Sequence, residues 1–111
     1  MHQLGPAELE AAWTDMETIL QVAVADWQEK RQDYKDAFVE LGSKGQFSEI
    51  WRKVIKLKNS VWDGYELRGE SPAQIALEVI PHCLMLVYLL GKENQERRSK
   101  VEVSYMPRRN L

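Results

Sequence analysis

The chain has 111 residues, of which 44% are apolar or aromatic and 29% charged, the size and balance of a single globular domain with a modest core. Its formal net charge of −2 excludes a globally basic nucleic-acid binder. Cys83 is the only cysteine, which excludes an intrachain disulfide and a cysteine-based zinc site and fits a reducing cytoplasm.

The near-neutral total hides strong polarity. Residues 1–29 hold six acids and no Lys or Arg, whereas residues 44–58 hold Lys44, Arg52, Lys53, Lys56 and Lys58 against Glu49 alone. Such asymmetry predicts an electropositive site beside an acidic flank, or head-to-tail contacts between subunits.

Pro6 suits a first helical position, with Glu8 and Glu10 favouring the first turn. Apolar residues then recur at steps of three or four from Leu9 through Trp13, Met16, Leu20 and Trp27 to Tyr34, Phe38 and Leu41. No Pro or Gly falls between residues 7 and 41, so the spacing predicts one long amphipathic helix, or two collinear ones broken near 28–32. Gly42 and Gly45 bracket a predicted loop. A second helix follows over about 47–62, and Asp63-Gly64 and Gly69 mark a connector. Ser71-Pro72 reads as an N-cap and N1 pair opening a third helix over about 72–90, with Gly91 at its end. The tail reads as a polar helical extension, KENQERRSK, and a strand-like VEVSYM.

These elements predict an all-α fold: an antiparallel helical bundle with one long N-terminal helix, two shorter helices and a short C-terminal appendage. The domain would span 1–91, and 92–111 would be a polar, basic tail. No signal peptide is evident, and the apolar run at 75–90 is short for a bilayer, so it reads as a buried helix and not as a membrane span.

That run, ALEVIPHCLMLVYLL, raises a problem of its own. It carries Glu78, Pro81 and His82, and burying a lone charge is expensive. Glu78 and His82 are an i,i+4 pair on one side of the helix, with Gln74 a turn earlier. Either they bond to one another at a helix interface, or they line a pocket where Glu78 binds a metal or accepts a proton. Pro81 removes a helical hydrogen bond and predicts a kink. On the second helix Arg52, Lys53 and Lys56 share one side, while Lys58 falls near Trp51, Ile55 and Trp62. Two readings stand for Lys58: a snorkelling or cation–π lysine, or a phosphate ligand. No glycine-rich phosphate loop, zinc-protease or serine-hydrolase signature is present, and adjacent His82 and Cys83 diverge too far on a helix to act as a nucleophile pair.

The segment KRQDYKDAFVELGSKGQFSEIWRKVIKLKNSVWDG, followed by LRGESPAQIALEVIPHCLM, resembles the nucleotide modification associated domain family of phage and bacterial proteins. That family is itself similar to the MazG-like all-α nucleotide pyrophosphohydrolases. Asp33-Tyr34 matches a K-x-x-D-Y-G element, Gly42 and Gly45 a G-x-x-G loop, and Lys53, Lys56 and Leu57 a D-K-x-x-R-L element. Gly69, Glu70 and Ser71 match G-E-S, and Glu78 stands at an aspartate position. The resemblance covers roughly residues 30–90. It implies a cytoplasmic homo-oligomer that binds a nucleotide or nucleic-acid phosphate. Lys53, Lys56 and Lys58 would sit on phosphates, Glu70 and Glu78 would be catalytic residues holding magnesium, and Asp33, His82, Trp51 and Trp62 would complete the pocket. If the chain is an enzyme, it would be a magnesium-dependent nucleoside triphosphate pyrophosphohydrolase. Arg52 and Gln74 replace acids of the pattern and Lys35 its glycine, which thins the carboxylate set that metal-assisted hydrolysis needs. The alternative is a non-enzymatic interaction protein that docks on a host or virion protein, supported by Trp13, Trp27 and the acid-rich first helix.

Overall fold

A computed structural model describes residues 3–101. They are all-α, with no strand among them: α1 spans Pro6–Tyr34, α2 Ala37–Leu57 and α3 Pro72–Val101, and a π-helical turn, Lys58–Trp62, extends α2. The described residues fall into two compact units divided between Lys35 and Asp36.

The first unit is α1. Pro6 opens it, and the Glu8 carboxylate accepts from the Gly5 backbone N–H at 3.2 Å, satisfying one of the donors that a helix start leaves open. Thr14 and Thr18 return their hydroxyls to the carbonyls of Glu10 and Thr14. The helix ends at Tyr34, earlier than the unbroken 7–41 spacing predicts and later than a break at 28–32. Lys35 has φ 49° and ψ −116°, a conformation that a side chain disfavours and that stops the helix.

In the second unit α2 and α3 run antiparallel. Ser43 reaches Glu93, Gln46 reaches His82, Lys53 reaches Glu78 and Lys56 reaches Glu70, so partners on α3 descend as α2 ascends. The predicted loop at 42–45 contracts to one residue: Gly42, at φ 67° and ψ −176°, is the only non-helical position inside α2. Helix geometry resumes immediately, and Gly45 is helical. The kink lets Phe38 meet Tyr88 edge-on, with ring centroids 6.0 Å apart.

Ser71 caps α3 as predicted, its hydroxyl accepting from the Gln74 N–H at 3.1 Å. The helix then continues through Pro81 to Val101, without the stop expected at Gly91 and on through the polar extension KENQERRSK that was read as helical. Lys92, Glu93, Gln95, Glu96 and Arg97 are strong helix formers that outweigh one glycine. Of the strand-like segment, residues 102–106 lie outside the described residues. The expectation of a buried central helix is corrected. Ile75, Pro81, His82 and Leu89 are buried, but only 22% of the most apolar window of α3 is buried. Within the second unit α2 covers one face of α3. By length and composition Pro72–Arg97 would suffice to cross a membrane.

Two positive-φ positions predict opposite stability changes. An added Cβ at Gly42 meets nothing within 4 Å, so Gly42→Ala carries only the backbone penalty, about 1–3 kcal/mol. Lys35→Gly relieves a similar strain and gains up to about 1 kcal/mol after the extra chain entropy of glycine. Thermal unfolding should show a lower midpoint for the first variant and a higher one for the second.

Candidate functional site

The α2–α3 interface carries a row of polar pairs. Periodicity places Gln46, Lys53 and Lys56 on the side of α2 that faces α3, and each finds a partner. The Lys53 ammonium donates to Glu78 Oε1 at 3.0 Å and Lys56 to Glu70 Oε1 at 2.8 Å. Gln46 is buried, with its Oε1 2.8 Å from His82 Nδ1. The side chains of Lys53 and Glu78 are 15% and 26% exposed, so this ion pair sits where solvent screening is weaker than at an open surface.

These partners account for the polar residues inside the apolar run. Glu78 faces a lysine and His82 a glutamine, both from the opposite helix. Buried polar groups hold their place when hydrogen-bonded, and among the described residues no buried side-chain nitrogen or oxygen lacks a partner.

Glu70, in the connector just before Ser71, lies among three cations. The Lys56 hydrogen bond holds its pKa below 4.5, the nearby charges of Lys56, Lys53 and Arg52 push the same way, and partial burial opposes them. Glu49 is also held below 4.5, first by its 2.6 Å hydrogen bond from Arg52.

The sequence-predicted site residues separate into three sets. Lys53, Lys56, Glu70 and Glu78 do come together, with Lys53 and Lys56 one turn apart on α2 and each holding one of the two carboxylates. His82 joins the same interface through Gln46, a partner that sequence reasoning missed. The signal for it was a glutamine at the start of the α2 face that carries Lys53. Lys58 pairs with a carboxylate of its own, Asp63, at 2.8 Å across the π-helical turn. Trp51 is exposed on α2 beside Phe47, with centroids 6.2 Å apart, and Trp62 is 84% exposed. Asp33 lies on α1, in the first unit.

The donor set does not fit magnesium. Glu70 and Glu78 are each neutralised by a lysine, and among the described residues no three His, Cys, Asp or Glu side chains converge to hold a metal ion. No hydrolytic step follows from this arrangement. Nor does the chain match any family model, curated protein or solved structure.

The depressed carboxyls fix a pH dependence. Their folded pKa values lie below the ordinary 4.5, so their stabilisation is complete above that value and is lost as pH falls through the lower, folded values. Acid titration followed by circular dichroism should show stability declining below about pH 4.5. Replacing Glu70 and Glu49 together by Gln should flatten that decline; an unchanged acid limb would contradict the pairing.

Proposed function

We propose that this chain is a non-enzymatic helical interaction protein, docking on a protein partner through apolar side chains that its own fold leaves uncovered. The observation that carries this reading is the exposure of Trp51, Trp62, Val61 and Val87, at 57%, 84%, 70% and 70%. Scattered exposed apolar residues are ordinary, but aromatic and branched side chains as large and as uncovered as these are typical of binding surfaces. Meanwhile the lysines expected to hold phosphate are engaged with carboxylates, and that supports a structural role for them.

Benzoylphenylalanine in place of Trp62 tests this directly in the expressing cell. Discrete cross-linked adducts are the expected result, with none from the same group at exposed Glu66. An absence of adducts at position 62 and, in a second variant, at position 51 would contradict the reading.

A second reading, phosphate binding, has one observation in its favour. Arg52, Lys53 and Lys56 all bear on the Glu70 carboxylate, so an anion that displaced Glu70 would meet three cations. Isothermal titration with nucleoside mono- and triphosphates should then show binding strengthened several-fold in Glu70→Gln. No heat with either protein would dismiss it.

A further inference from the structure

On α3, Ala73, Ala76, Ile80, Cys83, Val87, Leu90 and Asn94 follow one another at alternating steps of three and four. This is the heptad spacing of a coiled-coil seam. At 100° per residue the seam lies roughly 140° around α3 from the stripe of Ile75, Glu78, His82 and Leu89 that faces α2. Val87 is 70% and Leu90 51% exposed, and Cys83 is exposed.

We infer that two copies of this chain pair through this seam as a parallel, two-stranded coiled coil of α3. The inference rests on the interaction reading above and assigns the α3 part of that surface, the part with Val87, to a second copy.

Two features select a second copy. First, the seam from Ala73 to Asn94 has no charged residue, so over that length identical surfaces meet without like-charge conflict, while a strongly charged partner would find no complement. Ile80 and Val87 occupy a positions with Leu90 at d, the branching pattern that favours two parallel strands; Asn94 is a single polar a residue of the kind that fixes register. Second, about 33 Å of helix is long enough to bury, on the order of 1,000–1,500 Å² in total, the area a specific interface needs. A parallel pair also brings each seam residue opposite its own counterpart, with Cys83 at the middle.

The test uses the full chain. Sedimentation equilibrium should give the mass of two chains, and a short bismaleimide should join copies through Cys83. It should join them equally through Leu90→Cys in a Cys83→Ser background, which an antiparallel pair would not allow. Val87 faces solvent in the single chain, so Val87→Lys should retain helicity by circular dichroism yet sediment as one chain, whereas Trp62→Ser should remain paired. A one-chain wild type, a pair that survives Val87→Lys, a pair lost in Trp62→Ser, or no cross-link at position 90 would each overturn the inference. Co-sedimentation of the wild type with phosphatidylcholine vesicles, abolished by Val87→Lys, would overturn it in favour of a lipid surface. Adducts at position 62 that persist with a one-chain mass would sink only the self-pairing; loss of both would sink the interaction reading as well.

Discussion

The cross-helix ion pair between Lys53 and Glu78, with the buried Gln46–His82 contact two turns away, governs how α2 and α3 can meet. Apolar burial in this unit is small: Ile75 and Leu89 are the large hydrophobic side chains classed as buried there, together with Pro81. Apolar contact is forgiving about register, because one methyl group can replace another. A half-buried carboxylate is not, since sliding α3 by a turn would leave Glu78 without its ammonium and His82 without its amide. The polar row therefore selects one alignment, and the kink at Gly42 then brings Phe38 onto Tyr88.

That constraint reaches the question of function. Lys53, Lys56 and Lys58 suit phosphate on composition, but each already meets a carboxylate. An anion would have to displace Glu78, Glu70 or Asp63, and at Glu78 it would also loosen the helix pair. The face of α3 turned away from α2 has no such obligation. A helix that is apolar on both sides and covered on one is half of an interface, whether the rest comes from a protein or a lipid.

Much of the fold was legible in the residues. Pro6, the Ser71-Pro72 pair and the three-and-four spacing of apolar positions mark helix starts and helical type, because capping and periodicity are local. The break after Tyr34 was not legible, since nothing about a lysine announces positive φ; the only hint was the glycine expected there by resemblance. The polar extension KENQERRSK was legible as helix, but its continuity with α3 was not, because Gly91 looks like a terminator and the favourable residues beyond it act collectively. At the site, the sequence placed Glu78 and His82 on one side of a helix but could not say what faced them. Gln46 and Lys53 lie 36 and 25 positions from their partners, and no local pattern encodes that distance. The Lys58–Asp63 pair was not legible either, because a π-helical turn shifts side chains away from the 100° wheel.

The most direct test of the central claim, that Lys53 clasps α3 through Glu78 and is not held ready for a phosphate, is a double-mutant cycle in denaturant unfolding. Lys53→Met and Glu78→Leu should each destabilise the fold, while the double variant should recover part of the loss, giving a coupling of about 1 kcal/mol or more. Strictly additive effects, or a Lys53→Met variant as stable as the wild type, would contradict it.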